Sequence, residues 1–572
     1  KENVISTGTI SMSYSQNSFI DLKNTYPKTD TYAIATKEDK SSMEFSVSME
    51  TSGTKQINYV LALTEIQEGE TLKSDKVKIY LEKEGKVVNN FEENKGQTIE
   101  SFKNKYVEGL IDNYAIYQDI LTTSNKTHHY TLTAWIDESY ILPIKNETNN
   151  TKQTNEETYK FKVKVVGVDS PITIEENTPI DESGANAPVL ASNMIPVYYD
   201  ETNDVWKKAD ASNADKTNPW YSYNSSGEYK GMWANAVTVT SANRTTYLNA
   251  EPGTIIPMTD ITTMWVWIPR FNAITPSNFN GGTKTKPNAI NVTFVKQNET
   301  AIDAFTFGDK ELSGFWYGKF ETSHTTLTSS TTENNLGCTT ETCSNANGII
   351  IKPNVKSLRY NNISNFFFAS RSMEQPNNSF GFVSSEVDTH MSKNNEWGAV
   401  AYLTQSIYGR CTNSTTCTEI GINNSRDSNY TSTTGYGAPA GSGEYKAPGA
   451  YNTALGKDAS TTGTIYGIYD MSGGELDYVM GVYSNRIASS GFSSLPDTKY
   501  YNNYTGSSYT GHALTETKNW YSDGAGFVDT RYQWFMRGSH FTKLAYAGVF
   551  SFGRDDGSSD VSVSSRFVIT NE

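Results

Sequence analysis

The sequence has no long hydrophobic run, only four cysteines and a deficit of positive charge. No apolar stretch is long enough to span a bilayer, so no membrane-spanning helix is expected. The net charge of -15 argues against a binder of nucleic acid without sequence preference, because that function needs a basic face. Aromatic residues make up 12% of the chain, far too much for a disordered acidic tail. The composition is that of a polar, β-rich, extracytoplasmic protein.

The cysteines form two close pairs, Cys338 with Cys343 and Cys411 with Cys417. Pairs that close such short loops predict local disulfides on exposed loops. A metal site is disfavoured because neither segment supplies clustered histidines or further cysteines. The first residue is Lys1 and no apolar signal core follows, so we expect a mature chain from which a signal peptide has been removed. We find no sorting motif or hydrophobic tail at the end of the sequence.

Composition changes sharply near residue 170. The first 168 residues contain no Arg, no Cys and one Trp, whereas the remainder holds all 11 Arg and 9 of the 10 Trp. Between them, residues 169–186 carry five acids and no base, which is typical of a solvated linker. A chain of 572 residues is also too long for one hydrophobic core. We therefore predict a domain over 1–168, an acidic linker over 169–193 and a second domain over 194–572.

The first domain shows a repeated alternation of apolar and polar residues. This period predicts half-buried antiparallel strands. The strands are expected around residues 10–14, 43–49, 57–63, 77–81, 130–136 and 159–165. Residues 101–121 differ, because their aromatic and leucine side chains recur at helical spacing. The prediction is a β-sandwich with one helical insertion.

The first domain resembles the camelysin/TasA-like exported proteins of Gram-positive bacteria. The resemblance lies in a short leading strand at 7–11, an acidic turn region at 21–24 and an alternating strand at 43–49. It implies a surface protein that assembles into fibres, with the mature N-terminus inserted as a donor strand into a neighbour. An added strand would pair its own backbone groups and cover an open sheet edge. The alternative is that residues 10–14 pair within their own domain.

The second domain is rich in Trp and Gly, with short segments and long polar loops. The apolar run 264–269 predicts a buried strand, and residues 314–321 predict a second strand that ends in an acid. Residues 394–403 predict a helix with Asn394 as its N-cap. Residues 410–461 are dominated by Ser, Thr, Asn and Gly, which is typical of a long surface insertion.

Five motifs of the second domain resemble the formylglycine-generating-enzyme-like family, and they occur in the order of that family. They are Phe-Glu-Thr-Ser at 320–323, Asn-Glu-Trp at 395–397, Gly-Ile-Tyr-Asp-Met-Ser-Gly-Gly-Glu at 467–475, Phe-Met-Arg-Gly-Ser at 535–539 and Ser-Arg-Phe at 565–567. The resemblance covers residues 194–572. It implies a C-type-lectin-like α+β fold of the sulfatase-modifying-factor type, so the expected class is mainly β and α+β.

The family's thiol oxidation does not carry over to this sequence. That chemistry uses cysteines late in the domain as copper ligands, and no Cys follows Cys417. Ser539 lies in the corresponding neighbourhood, but a serine without a base is inert. His540 is adjacent in sequence, yet neighbours in an extended strand point to opposite faces. We therefore expect no enzyme and no catalytic residues.

A bound cation is also disfavoured. The enzyme family binds calcium near the turn that matches 467–475, where Asp470, Glu475 and Asp477 supply carboxylates. Gly474 replaces the family's Asn and removes a side-chain oxygen. The expectation is no cofactor and no metal ligand, with calcium left open.

The same scaffold is used by the variable proteins of diversity-generating retroelements, which this chain also resembles. In that group the last strands and loops carry residues copied from a mutated template, so the resemblance implies a ligand-binding surface within 539–565. The expected ligand-binding residues are His540, Phe541, Thr542, Lys543, Leu544, Tyr546, Ser551, Arg554, Asp555, Ser558, Ser559, Asp560, Val561, Ser562 and Val563. Asp556 and Gly557 mark a tight turn that would place the two halves of this segment side by side.

Together these features predict a secreted adhesin or receptor on the surface of a Gram-positive type of bacterium. Its lectin-like head would display a diversified site for a protein or glycan on another cell, a phage or a host surface. The alternative is a structural subunit of a fibre or pilus that polymerises by N-terminal donor-strand exchange. Neither function involves nucleic acid or a membrane span.

Overall fold

A computed structural model describes most of the chain, which divides into two compact units, Lys1–Thr178 and Pro179–Glu572. The described residues are 3–5, 8–16, 18–38, 40–50, 56–66, 72–102, 105–106, 114–141, 144–147, 150–153, 157–168, 175–176, 180–213, 215, 217–328, 334–426, 431–443 and 448–571. Most regular structure is β, with few helices. Among these residues no helix combines the length and apolar character needed to cross a bilayer.

The first unit contains two antiparallel sheets. In spatial order the larger sheet consists of Asn3–Ile5, Gly8–Gln16, Ser42–Glu50, Thr127–Ile136, Val77–Lys83 and Lys86–Val87, and Gln97–Thr98 also pairs with Val77–Lys83. The smaller sheet consists of Tyr114–Leu121, Ile57–Glu65, Lys160–Val168 and Ile20–Asp21. Two-stranded ribbons join Ile144–Glu147 with Asn150–Gln153 and Lys105–Tyr106 with Glu175–Glu176.

The alternating side chains of these strands build the core of the first unit. Met43, Phe45 and Val47 of one strand are buried in the same hydrophobic cluster as Leu61 and Leu63 of the other sheet. Burying one face of each strand in this way is what the period of two requires. The six strands predicted from the alternation are therefore confirmed.

The predicted helical insertion over 101–121 is wrong in its second half. Tyr114–Leu121 is a strand that pairs antiparallel with Ile57–Glu65. The register shifts between Ala115 and Tyr117, which is a β-bulge. A bulge adds one residue to the strand and so changes the spacing of its core-facing side chains. Residues 103–104 and 107–113 of the predicted insertion lie outside the described residues.

The N-terminal strands pair within their own unit. Gly8–Gln16 pairs antiparallel with Ser42–Glu50, and Asn3–Ile5 pairs with Gly8–Gln16 to form the edge of the larger sheet. The Tyr14 hydroxyl donates to the Val163 carbonyl at 3.0 Å, which connects the leading strand to the other sheet. This pairing within the domain is the alternative that the sequence left open.

The second unit is built on two sheets and several two-stranded ribbons. The seven-stranded sheet has the order Val205–Lys208, Ile195–Asp200, Asn235–Val239, Ile261–Pro269, Gly314–Gly318, Phe567–Asn571 and Val387–Met391. The five-stranded sheet has the order Asn502–Tyr504, Leu476–Tyr483, Trp534–Arg537 and Phe552–Asp555, and Val563–Ser565 also pairs with Leu476–Tyr483. The ribbons join Phe271–Ala273 with Val292–Phe294, Thr306–Phe307 with Lys310–Glu311, Ser323–His324 with Ile349–Ile350 and Tyr436–Gly437 with Gly449–Ala450.

The helices of the described chain are short. The α-helices are Asp30–Thr36, Arg244–Leu248, Ile363–Ser372, Asn394–Thr404 and Ala454–Lys457. The 3-10 helices are Ser74–Lys76, Ile99–Phe102, Asn278–Gly281, Asp303–Phe305, Ser344–Gly348, Thr498–Tyr500, Thr515–Thr517, Trp520–Ser522 and Phe541–Tyr546. The predicted helix at Asn394–Thr404 is confirmed, but its N-cap is Lys393, whose backbone N–H donates to Glu396 Oε2 at 2.7 Å.

Part of the predicted acidic linker belongs to the second unit. Ala191 is buried, and the Val189 carbonyl accepts a 2.7 Å hydrogen bond from Trp316 Nε1. The Asn186 side chain donates to the Val295 carbonyl at 2.8 Å. The prediction of a linker over 169–193 is therefore wrong for residues 180–193. The polar composition is compatible with packing here because the backbone carbonyls of the segment satisfy buried Trp N–H groups.

The predicted surface insertion at 410–461 is also largely packed inside the second unit. Ile420 and Ile422 are buried, and so is Asn423. The Asn423 amide donates to Asp470 Oδ1 at 2.8 Å and to the Thr433 carbonyl at 2.9 Å. Polar side chains that bond each other replace apolar packing here, so composition alone did not reveal the burial.

Candidate ligand-binding surface

The two halves of the predicted surface lie on different parts of the five-stranded sheet. Phe552–Asp555 pairs antiparallel with Trp534–Arg537, whereas Val563–Ser565 pairs parallel with Leu476–Tyr483. The strands Trp534–Arg537 and Leu476–Tyr483, which pair with each other, therefore lie between the two halves. The turn at Asp556 and Gly557 does not close a hairpin, so the expected side-by-side pairing is wrong.

The predicted residues differ widely in their exposure. The exposed residues are Lys543, Leu544, Tyr546, Arg554, Ser559 and Val561. The half-buried residues are Thr542, Asp555, Ser558, Asp560 and Ser562. The buried residues are His540, Phe541, Ser551 and Val563.

The prediction that the buried four contact a ligand is a mistake. Phe541 is completely buried and its backbone N–H donates to the Gly474 carbonyl at 2.9 Å. Val563 packs into the main core of the second unit. Ser551 is buried where its backbone N–H bonds the Gly548 carbonyl at 2.9 Å. Chemical variety along the segment did not separate inward-facing from outward-facing side chains, because this segment is not one regular strand.

His540 fixes the start of a loop that we call the anchored loop, residues 539–548. Its Nδ1 lies 2.9 Å from Thr542 Oγ1, and its Nε2 lies 3.2 Å from Glu475 Oε2. Because Glu475 is completely buried, this contact ties the loop to the interior of the unit. The histidine acts as an N-terminal cap of the 3-10 helix rather than as a free surface group.

The middle of the anchored loop presents two large apolar side chains to solvent. Tyr546 is 63% exposed and Leu544 is 36% exposed. Leu544 has φ +50° and ψ -114°, a region that residues with a Cβ rarely adopt. Backbone strain of this kind costs on the order of 1–3 kcal/mol and persists only where the surroundings impose it. The contacts around the loop must therefore impose this conformation.

The surroundings that impose this shape lie on both sides of the loop. The Tyr546 carbonyl accepts a 2.9 Å hydrogen bond from the Gly524 N–H. Ala547 packs in a small buried cluster with Ile422 and Ala438. No sequence pattern indicates these bracing contacts, because the residues that make them come from distant segments.

The end of the anchored loop packs on a buried carboxyl group. Asp523 Oδ2 accepts the Phe550 N–H at 3.0 Å. A Cβ on Gly548 would lie 2.1 Å from the same oxygen, so only glycine fits at this position. Burial raises the pKa of Asp523 well above its usual value, and the nearby Glu419 carboxyl raises that pKa further. A carboxyl group held neutral in this way can lie beneath the loop without an uncompensated charge.

The strand Phe552–Asp555 carries polar side chains that are held by hydrogen bonds. Arg554 forms an ion pair with Asp529 and donates to the Phe527 carbonyl at 2.9 Å. Asp555 accepts a 2.7 Å hydrogen bond from the Tyr478 hydroxyl. Arg554 remains exposed, so it is available to a partner at the end of its strand.

Residues 558–562 form a turn that is fixed by its own side chains. Asp560 Oδ1 accepts the Ser562 N–H at 2.8 Å, and the Asp560 carbonyl accepts the Tyr360 N–H at 3.1 Å. Val561 is 47% exposed at the tip of this turn. The backbone is therefore ordered while the outward side chains are free.

Each of the three carboxylates considered for calcium accepts at least one hydrogen bond from the protein. Arg566 Nε donates to Asp477 Oδ2 at 2.8 Å, and Asp470 Oδ1 accepts the Asn423 amide at 2.8 Å. Burial raises the pKa of Asp477 to about 6, although the positive charge of Arg566 opposes this shift. Glu475 accepts a backbone N–H bond and faces the loop histidine. Within the part of the chain that the structure describes, no three His, Cys, Asp or Glu side chains are grouped to hold a metal.

Glu321 lies at the centre of this buried network, and the sequence assigned it no role beyond a family motif. Its Oε1 accepts the Glu475 N–H at 2.8 Å, and it also bonds the Ser357 hydroxyl. Burial raises the pKa of Glu321 well above its usual value, and the Asp477 and Asp470 carboxyls raise it further. The network links the loop to the core of the second unit.

Both predicted disulfides are formed, Cys338 with Cys343 and Cys411 with Cys417, which accounts for all four cysteines of the chain. Disulfides persist in oxidising compartments, so these bonds are compatible with an extracellular protein. No protein-family model matches this chain, and no curated protein matches it significantly.

Proposed function

We propose that this protein is a secreted, bacterial surface adhesin or receptor that binds its ligand with the anchored loop and the exposed residues near it. One observation carries the proposal: a strained loop presents Leu544 and Tyr546 to solvent while His540 and Phe541 hold it from beneath. Strain that is maintained by buried contacts, next to exposed apolar side chains, is typical of a binding site.

The chemistry of the exposed side chains suits protein or glycan recognition. Tyrosine supplies a large rigid contact area at low entropy cost, and its hydroxyl adds a polar contact. Lys543 and Arg554 add positive charge that helps to select a partner. Exposed substitutions change stability by only about 0.5 kcal/mol, so such a surface tolerates variation.

The resemblance to the variable proteins of retroelements makes a genetic test available. The DNA beside the gene should contain a reverse transcriptase and a near-copy of the segment encoding residues 537–566 that differs at template adenines. Variation should reach exposed positions such as Tyr546 and Val561 and spare the buried Phe541 and Val563. The absence of both elements would remove the support for diversification.

Binding is tested on arrays of bacterial and host glycans and of extracellular proteins, with the purified chain as the labelled probe. The variant Leu544→Ser/Tyr546→Ser should lose at least about tenfold in affinity for a ligand that the wild type binds. The matched control is Ile274→Ser/Val383→Ser, which removes exposed apolar side chains elsewhere in the second unit. Equal binding by both variants, or equal loss, would place the site elsewhere.

A fibre subunit is the second candidate function, because the strand Asn3–Ile5 lies at a sheet edge and the strand Gly8–Gln16 follows it. A strand at an edge can be exchanged with a neighbouring copy at low cost. Ser11 and Ser48 are register partners across the next strand pair. A Ser11→Cys/Ser48→Cys variant should form a disulfide between chains if the strand is exchanged, and within one chain if it is not. Deleting residues 1–15 should abolish filaments seen by electron microscopy.

A further inference from the structure

A cavity of about 480 Å³ opens in the second unit beside the Cys338–Cys343 loop. The other walls are the helix Ile363–Ser372 and the segment 491–497. The lining includes Glu341, Phe368, Phe492, Ser493, Asp497 and Tyr500. These residues come from three distant parts of the chain, so no sequence motif predicts the cavity.

The inner surface of the cavity is aromatic. Phe367 lies 5.4 Å from both Phe368 and Tyr500, and 5.5 Å from Phe492, measured between ring centroids. Phe368 is half-buried, so its ring is accessible from the cavity. Aromatic rings attract cations through their negative faces.

Two carboxylates from different segments line the same cavity. Glu341 belongs to the disulfide loop, and its side chain is 45% exposed. Asp497 belongs to the segment 491–497 and is exposed. Its Oδ1 accepts the Lys499 N–H at 3.0 Å, which holds the carboxylate in place.

The two cations beside the cavity, Arg371 and Lys499, pair with carboxylates and also face the ring of Tyr500. Arg371 pairs with Glu374 at 2.6 Å and with Asp388 at 2.8 Å, and lies further from Glu341, at 3.5 Å. Lys499 pairs with Asp388 at 3.2 Å. Four carboxylates, those of Glu341, Asp497, Glu374 and Asp388, thus lie beside two cations, so acidic side chains are in excess around the cavity.

We propose that this cavity binds the guanidinium group of an arginine side chain from a partner protein. A planar guanidinium stacks on a phenylalanine ring and donates paired hydrogen bonds to a carboxylate at the same time. Phe368 with Phe492 supplies the apolar surface, and Glu341 with Asp497 supplies the acceptors. The hydroxyl groups of the rim can bond the backbone of the residue that carries the arginine.

The cavity is a separate site from the anchored loop, and its function does not depend on that loop. Gly491 begins one wall with φ +84°, and a Cβ there would lie 2.4 Å from Asn362 Nδ2 and from Ser364 Oγ. The wall is therefore fixed against the helix. The preceding Ser490 carbonyl accepts the Ser364 N–H at 2.9 Å.

The test uses three short peptides with blocked ends that differ only at a central residue, which is arginine, citrulline or glutamate. Binding to the purified full chain is measured by isothermal titration calorimetry at millimolar peptide. The arginine peptide should saturate one site, and citrulline, which keeps the shape but lacks the charge, should bind at least about tenfold more weakly. Binding should weaken as salt is raised.

Variants locate the site. Glu341→Gln/Asp497→Asn should reduce affinity for the arginine peptide at least about tenfold, and Phe368→Ala should reduce it about threefold to fivefold. Glu228→Gln is the matched charge control, since Glu228 is exposed and lies outside the cavity lining. Ser493→Trp fills the cavity and should abolish binding without removing a charge.

Each outcome of these measurements either supports or overturns the proposal. The proposal is supported if the arginine peptide binds, the cavity variants lose binding and Glu228→Gln keeps it, with unchanged melting temperatures. It is overturned if no peptide binds, if citrulline binds equally well, or if the cavity-filling variant binds like the wild type. The variant Leu544→Ser/Tyr546→Ser changes only the anchored loop, so it should bind the arginine peptide like the wild type.

Discussion

Replacing His540 with alanine should loosen the anchored loop and destabilise the second unit. The change removes the contact between His540 Nε2 and Glu475 Oε2 at 3.2 Å. It also removes the contact between His540 Nδ1 and Thr542 Oγ1 at 2.9 Å, and the hydrogen bond from the Thr542 N–H to Nδ1 that caps the 3-10 helix. A completely buried carboxyl oxygen then loses the group it faces.

The expected magnitude follows from that loss. Losing an N-cap costs about 0.5–2 kcal/mol, and losing a neutral side-chain hydrogen bond costs about 0.5–1.5 kcal/mol. We therefore expect His540→Ala to lower the free energy of unfolding by about 2–3 kcal/mol. In a double-mutant cycle, Glu475→Gln should add much less to His540→Ala than it costs alone, because both substitutions break one contact.

Guanidinium unfolding followed by tryptophan fluorescence measures this change in the right part of the chain, since the second unit holds 9 of the 10 tryptophans. Amide hydrogen exchange should show faster exchange over 541–548. Lys543→Ala is the control, because Lys543 is exposed on the same loop and should change stability by no more than about 0.5 kcal/mol. The anchoring role is refuted if His540→Ala changes the free energy of unfolding by no more than about 0.5 kcal/mol and leaves amide exchange over 541–548 unchanged.

Three further predictions concern Gly548, Glu419 and the Cys338–Cys343 disulfide. Gly548→Ala should lower the free energy of unfolding by more than about 2 kcal/mol, because the new Cβ would lie 2.1 Å from a buried carboxyl oxygen. Gly553→Ala is the control and should be nearly neutral, since its Cβ would lie 3.7 Å from the nearest atom. Chemical unfolding curves of the two variants test the difference. Burial and a nearby carboxylate raise the pKa of Glu419 to about 7, so it binds more protons when folded, and stability should fall as pH rises from about 4.5 to 7. Glu419→Gln should flatten that profile, and an unchanged slope would contradict the shift. Cys338→Ser/Cys343→Ser should cost about 2 kcal/mol and weaken arginine binding.

Much of the fold could be predicted from the sequence where the pattern was local. Alternation of apolar residues at 43–49 and at 57–63 predicted two strands that the structure contains. The apolar run 264–269 and the helical pattern at 394–403 were also sufficient. The two disulfides followed from spacing, because short loops bring their ends together at little entropic cost.

The errors arose where local pattern and tertiary context disagree. A β-bulge near Ala115 lets Tyr114 and Tyr117, three residues apart, pack on the same core, and this spacing is also typical of a helix. The composition of residues 180–193 is typical of a linker, but they pack in the second unit, where their carbonyls accept hydrogen bonds from buried indole N–H groups. In the site, His540 and Phe541 were assigned to a ligand although both are buried.

The sequence by itself determined the strands, the disulfides and the segment in which the surface residues lie. The tertiary structure alone decided which of those residues face solvent, because burial depends on groups such as Glu475 and Gly524 that are distant along the chain. It also assembled the aromatic cavity, whose walls come from the disulfide loop, a helix and the segment 491–497. Hydrogen bonds, burial and ring packing join residues that are distant along the chain. A sequence pattern predicts only those contacts whose partners are close in sequence.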